Sequence, residues 1–455
     1  MDEVDVAIVG GGPAGTAAAR SAALEGAATV VLEKGVPRED REDRGPDSTD
    51  AAGFLDYWVD IAGLDIDSLP DHVIHRPLAG ATFFGPNENV TISKTGIEAS
   101  YPHFGFTFDR VAFDDWHREQ AEEAGADYRV GQAVRSVEKL ERNGHRLILS
   151  SGEEIKTRAL ILGDGPQRRV TIPVLDSYLS GEQLASSVLS PPEANHIAYQ
   201  EYRRIPSQAI DQDRIAFWWG WLPGHTAYPW IFPIDGEIAK VGLTMPIGTS
   251  LSSLEDPSRY PLLSSEDASM PSPRDFLRRF LERRFPEYDI ESDLPLVTDC
   301  GKDEGTETYP ISSTRPIDSP TAYNVAVIGG AMGATSAFHE GGDHVALRTG
   351  QIAGRLAAVD ALDQYNTAWK AAIGSEIRRN VALAEMVRGY EPADWDQVLG
   401  IGTRMLKNQS GAKPGIGSAL SAGIPALKLF MAYRYRKYRL RSDRLVQIPE
   451  TAYTR

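Results

Sequence analysis

The sequence predicts an α/β protein in three parts: a discontinuous Rossmann-like dinucleotide-binding domain, an antiparallel-sheet substrate domain and a helical carboxy-terminal region. Three observations carry that expectation. The first 35 residues alternate strand, glycine turn, helix and strand; the same texture returns near residue 325 after a long stretch rich in Trp, Tyr and Pro; and the chain beyond residue 365 has helical periodicity. At 455 residues the chain exceeds one compact core and suits two or three interlocked domains, with room to bury a large ligand between them.

The opening unit reads VDVAIVGGGPAGTAAARSAALEGAATVVLEKG, a strand, a glycine turn, an Ala-rich helix and a second strand. Gly10, Gly12 and Gly15 fit G-x-G-x-x-G, where missing side chains permit a tight turn and let a pyrophosphate rest on free N–H groups. Glu33 closes the second strand 23 residues after Gly10, where a carboxylate accepts both ribose hydroxyls of an adenosine and disfavours a 2′-phosphate. Residues 36–52 are charged, punctuated by Pro and Gly, and read as a long loop. Apolar spacing between Phe113 and Ala124 predicts a helix that passes through Gly125 into a strand, followed by a hairpin around Ser151-Gly152 and an apolar strand ending at Gly163. Strand-like aromatic runs such as RIAFWWGWLPG and AYPWIFPIDGEIAKVGLTM then predict a mostly antiparallel layer. The resulting boundaries are 1–75, 105–170 and 306–365 for the nucleotide-binding domain, 76–104 and 171–305 for the substrate domain, and 366–455 for the helical region.

A formal charge of −17 argues against nucleic-acid binding, which needs clustered Lys and Arg. With 36 Arg but 11 Lys beside 64 acidic residues, the composition points to a halophilic source, haloarchaeal in character, as readily as to an ordinary acidic enzyme. Cys300 is the single cysteine, which excludes an internal disulfide and a cysteine-held iron–sulfur cluster. His72-x-x-His75 lacks further ligands at metal spacing, so no metal site is expected. The first strand begins by Val4 with no room for a signal peptide, and the expectation is a cytoplasmic protein. From Arg404 to Arg444 ten Lys and Arg stand against Asp443 alone, a net of +9 on an apolar-then-basic tail. That tail suits an anionic membrane surface on the inner face of the cell, or packing on the protein's own acidic surface.

The segments VAIVGGGPAGTAAA with VVLEK, FDRVAFDDWHREQAEEAGA, ALILGDG and VAVIGGAMGATSAFHEGG with ALRTGQIAG resemble, in this order, flavoproteins of the p-hydroxybenzoate hydroxylase-like fold. Within that group, PGHTAYPWIFPIDGEIAKVGL resembles the aromatic segment of the geranylgeranyl reductase family, whose members saturate prenyl double bonds. The resemblance implies FAD. Its ADP half falls on Gly10, Gly12, Pro13, Ala14, Gly15, Glu33 and Lys34, with Arg110 near the phosphates and Asp164 and Gly165 facing the cofactor. Gly329, Gly330, Gly333, Gly341 and Gly342 cradle the flavin, and the helix starting near Gly341 aims its amide end at the ring, favouring an anionic reduced flavin. The family normally carries Asp where this chain has Gly330. Tyr228, Trp230, Phe232 and Pro233 form YxWxFP, with alternate aromatics on one strand face to line an isoprenoid cavity or to pack a core.

The implied reaction is reduction of an isoprenoid lipid's C=C bond by reduced FAD, with His339 a candidate proton donor. The electron donor is open among ferredoxin, a deazaflavin and a nicotinamide, because the chain has no second nucleotide-binding unit. Two alternatives stand beside this: an FAD-dependent monooxygenase of the same fold, and a non-catalytic prenyl-lipid carrier with a degenerate flavin site.

Overall fold

The computed structural model describes residues 2–36, 52–140, 144–180, 184–189, 195–300, 304–312, 314–407, 424–440 and 444–454. Nearly all of the expected loop at 36–52 and the middle of the basic tail lie outside them. The first sheet has seven strands, in the order Asp127–Arg129, Thr29–Leu32, Asp2–Val9, Glu154–Leu162, His145–Leu149, Val134–Lys139, with Val325–Val327 also paired to Glu154–Leu162. Its central strands run parallel, with Val6 opposite both Thr29 and Ala159. Val6 to Val9 are all buried, so the strand is covered on both faces, which is why they read as an unbroken apolar run.

The helix Pro13–Leu24 and the late helix Asp343–Ala358 touch backbone to backbone on this sheet. Gly350 and Gly354 permit it: a Cβ on either would be driven into the carbonyl oxygen of Ala14 or Ala18. The late helix begins two residues beyond the expected Gly341, with Gly342 as its N-cap.

The second sheet also has seven strands, ordered Thr306–Ser312, Asn195–Arg204, Ile238–Pro246, Tyr228–Pro233, Arg214–Trp218, Gly80–Phe84, Asn89–Ile92. It is antiparallel except for one parallel pair, Arg214–Trp218 with Gly80–Phe84. One face packs on the helix Pro273–Arg284, whose start is fixed by a capping box between Ser272 and Asp275. The other face looks toward the first domain.

Two expected boundaries move. Residues 306–312 pair with Asn195–Arg204 and so belong to the substrate sheet, not to the third nucleotide-binding piece. The cut at 75/76 falls inside the strand Ile74–Leu78, which joins Gly105–Phe108 and Gly53–Leu55 in a three-stranded sheet between the layers. Strand-to-strand partnership across a hundred residues has no local sequence mark, so texture alone misplaces such edges.

Beyond residue 365 the helices Tyr365–Val387, Pro392–Lys407 and Ile424–Arg439 follow. The chain then returns to the first domain: Ile448 is fully buried, the Gln447 amide donates to the Pro316 carbonyl, and the Tyr453 hydroxyl donates to the Asp318 carbonyl. Among the described residues no helix is long and apolar enough to cross a membrane.

Candidate functional site: a glycine cradle opening on an aromatic cavity

Gly10 adopts φ +98°, and a side chain there would strike the Gly163 carbonyl of the neighbouring strand. The turn feeds a helix with Pro13 in its first turn and Gly12 as N-cap, and no side chain satisfies the first amides. The space in front of Gly12 is open. Free amides, a helix N-terminus and open space fit a pyrophosphate. Glu33 stands beside this turn, Oε2 accepting the Gly11 N–H and Oε1 the Gly35 N–H, each at 2.6 Å. Lys34 is exposed to solvent. Tyr128, which no motif marks, donates to the Gly11 carbonyl at 2.6 Å and so holds the turn from the far side. Glu33→Ala removes the acceptor for two amides and for the ribose of a bound adenosine; FAD retained after gel filtration should fall at least about tenfold, as expected for loss of a charge-assisted pair.

The late glycines have unequal tasks. Gly329 lies against the Ala14 methyl and Gly333, at φ +77°, against the Arg315 carbonyl, so both serve packing and turn geometry. A Cβ on Gly341 would come 2.6 Å from the Trp58 ring, which covers that glycine, while Gly342 faces Thr335. At Gly330 a Cβ would meet Pro166 at 3.6 Å and Gly165 at 3.8 Å, both ordinary contacts, so nothing local demands glycine there. Its carbonyl accepts from Arg168 at 3.0 Å. Arg168 is 1% exposed and also donates to the Ala331 and Leu189 carbonyls and the Ser312 hydroxyl, tying the cradle to the substrate sheet. Burial lowers its pKa to about 10, with nearby Asp164 opposing the shift.

Two expected cofactor contacts are otherwise engaged. The Asp164 carboxylate accepts the Val170 amide at 2.6 Å, the Thr171 amide and the Thr171 hydroxyl, and so caps the short helix that starts at Thr171. Gly165 beside it, at φ +73°, borders open space. Arg110 pairs with Asp114 at 2.9 Å and with Asp343, in the first turn of the late helix, at 3.1 Å.

Between the cradle and the second sheet is a cavity of about 640 Å³. Gly341, Gly342 and Pro166 border it on one side; Phe217, Trp219, Tyr228, Trp230 and Phe232 wall the other. The alternation of YxWxFP does place its three aromatics on one face. Trp230 sits across from Gly242, where a Cβ would approach its ring to 2.5 Å, and the Tyr228 hydroxyl donates to the His339 carbonyl at 2.6 Å. Pro233 ends the strand opposite Ala239 and does not border the cavity.

His339 does border it, but its chemistry is wrong for an acid. Nδ1 accepts the Gly341 amide at 3.1 Å, and burial lowers the pKa to about 3, so the ring is neutral at working pH. Its neighbour Glu340, which lies inside the late glycine segment but is given no role by it, is also buried in the cavity wall, and burial raises its carboxyl to about 8.

The turn with open amides, the acidic strand end and the returning glycine unit together define an FAD-binding flavoprotein of the mixed α/β class. The family model described as FAD binding domain matches residues 5–42. The chain is 27% identical over 397 residues to a digeranylgeranylglycerophospholipid reductase of Methanothrix thermoacetophila, covering 84% of this chain and 86% of that protein. In fold it is similar to a geranylgeranyl bacteriochlorophyll reductase-like protein from Thermoplasma acidophilum, with TM-score 0.69 and 20% identity over 97% of this chain and 99% of the other. It is more distantly similar to an anhydrotetracycline hydroxylase from Streptomyces rimosus, with TM-score 0.53 and 17% identity over 97% and 76%.

Proposed function

We propose that the protein is an FAD-dependent oxidoreductase that saturates C=C bonds in the isoprenoid chains of a membrane lipid. The observation that carries this is the aromatic-walled cavity meeting the flavin cradle: it suits a long apolar chain laid alongside the ring. Gly10, Gly12, Pro13, Ala14, Gly15, Glu33 and Lys34 would hold the ADP half, with Arg110 near the phosphates and Asp164, Gly165 and the late glycines facing the rest of the cofactor. Bound and reduced, FAD supplies the hydride. An isolated alkene is a poor acceptor, so the protein must exclude water, fix the double bond and provide a proton. Tyr228, Trp230 and Phe232 serve the first two needs. The near full-length similarity to the Methanothrix reductase favours this reading over a monooxygenase or an inert carrier.

The helix Ile424–Arg439 supports work at a membrane. Met431, Tyr435 and Tyr438 are 56%, 62% and 63% exposed, follow at helical spacing, and alternate with exposed Lys428, Arg434 and Arg439. Apolar and aromatic groups flanked by cations suit an anionic lipid interface. Met431→Ser/Tyr435→Ser/Tyr438→Ser should cut co-sedimentation with phosphatidylglycerol vesicles about tenfold while leaving FAD content unchanged. The excess of acid and of Arg over Lys fits a cytoplasm of high salt, and reduced ferredoxin, a deazaflavin or a nicotinamide would supply the electrons.

The deciding experiment reduces the FAD-loaded protein with dithionite under anaerobic conditions, adds a geranylgeranyl phospholipid in vesicles, and weighs the lipid by mass spectrometry. Gain of dihydrogen per double bond is expected. Oxygen-dependent hydroxylation would replace the proposal with a monooxygenase, and a protein that takes up lipid but never FAD would replace it with a carrier.

A further inference from the structure

Alkene saturation needs a proton as well as a hydride, and the residue placed to give it is not the one the sequence singles out. Resting on the reductase reading, we propose that Glu340 is the proton donor, working as a buried neutral carboxylic acid in the wall of the substrate cavity and resupplied through His196.

Glu340 stands between His339 and the glycines that lead into the late helix, at φ +59°, a conformation non-glycine residues seldom keep unless the surroundings hold it. Here its amide donates to the Ser336 carbonyl and the Ser336 amide donates to the Gly341 carbonyl, closing the turn. The side chain is 3% exposed. Oε2 accepts the Thr244 hydroxyl at 2.5 Å; Oε1 has no hydrogen-bond partner and lies 3.5 Å from His196 Nδ1. His196 Nε2 in turn is 3.3 Å from the Thr226 hydroxyl, and half-buried His225 lies beyond. These groups form a polar file from the cavity wall through the substrate sheet.

No Lys or Arg among the described residues lies within 4 Å of Glu340. An isolated carboxylate in such a place is costly, so the acid keeps its proton to about pH 8. The groups packed around it do not compete for that proton at neutral pH. His196 is lowered to about 3 by burial and by His225, His339 to about 3 by burial, and Tyr228 is raised well above its ordinary value by burial. A carboxyl held neutral at working pH is the form an acid catalyst requires.

In the step itself, one alkene carbon would receive the hydride that bound, reduced FAD supplies, while the other would take the Glu340 proton. A C–H bond forms at each carbon; the π bond, the carboxyl O–H bond and the bond that held the hydride on the reduced cofactor break, the cofactor is oxidised by two electrons, and Glu340 is left as a carboxylate. His196 passes a proton back to it from the solvent side. Two electrons and a proton would then be needed to restore the reduced cofactor, from one-electron transfers by ferredoxin or from hydride transfer by a deazaflavin or a nicotinamide.

Infrared titration of the FAD-loaded protein gives a readout independent of turnover. A carboxylic C=O band that shifts in D2O and disappears as pH rises through about 8 is expected in the wild type and should be missing in Glu340→Gln. In single turnover from the pre-reduced state, Glu340→Gln should slow lipid reduction at least about 100-fold with FAD content and dithionite reduction unchanged, and Glu340→Asp should restore part of it. The wild-type rate should fall above about pH 8, since ionised Glu340 has no proton to give. His196→Phe should spare the first turnover and slow later ones. A band still present in Glu340→Gln, no such band in the wild type at about pH 6, or a Glu340→Gln rate within about threefold of an active wild type overturns the assignment alone. A wild type that reduces no lipid at all overturns the reductase reading and this step with it.

Discussion

Gly350→Leu is expected to give a protein that accumulates poorly, melts far below the wild type and carries no FAD. At this position the late helix meets the first helix with no side chain between them, and even a Cβ would enter the Ala14 carbonyl oxygen. The obstacle is backbone on both sides, so no rotamer change relieves it and the helices must part. Overpacking of a close-packed interior costs about 1–3 kcal/mol for one or two methylenes, and a four-carbon side chain driven against main chain exceeds that range. The damage also reaches the cofactor. Ala14 belongs to the glycine turn, so separating the helices displaces the amides that face the pyrophosphate. Differential scanning calorimetry and the flavin absorbance of purified protein measure both effects, and a melting point within a few degrees of wild type would refute the packing argument.

Arg168→Met should cost about 3 kcal/mol or more and loosen FAD without touching the ADP turn. The guanidinium satisfies the carbonyls of Gly330, Ala331 and Leu189 and the hydroxyl of Ser312. Methionine matches much of its volume but leaves several buried acceptors unpaired, each worth about 1–3 kcal/mol. Because two of those carbonyls are in the late cradle, FAD release should quicken as well. Denaturant melts and stopped-flow release of flavin test the two consequences separately, and Arg168→Lys, which supplies three donors from a single nitrogen in place of five spread over a planar fork, should fall between.

Much of the first domain was legible because it is built from local rules. A parallel sheet covered on both faces gives continuous apolar strands, and a turn against a neighbouring strand requires Gly10. The aromatic wall was legible for the same reason: alternation alone puts Tyr228, Trp230 and Phe232 on one side. What sequence could not reveal depends on partners far along the chain. Arg168 matters through carbonyls 162 and 163 residues away, and residues 306–312 take their domain from hydrogen bonds to Asn195–Arg204. His339 drew attention because histidines titrate near neutral pH, yet burial silences it and shifts the adjacent glutamate into that range. Asp164 and Glu340 are both single acids beside glycines; only the placement of Thr171 and Thr244 distinguishes a helix cap from a buried acid.

The substrate sheet is assembled from three stretches, 80–92, 195–246 and 306–312, with the nucleotide-binding layer threaded between them. During synthesis the hairpin at 80–92 must wait for a partner that emerges more than a hundred residues later, and the far edge closes only after residue 312. Refolding from denaturant should therefore be slow and all-or-none across both layers. Fragments cut at 76 or 306 would carry bare strand edges and precipitate. A producer of this protein must express the chain whole.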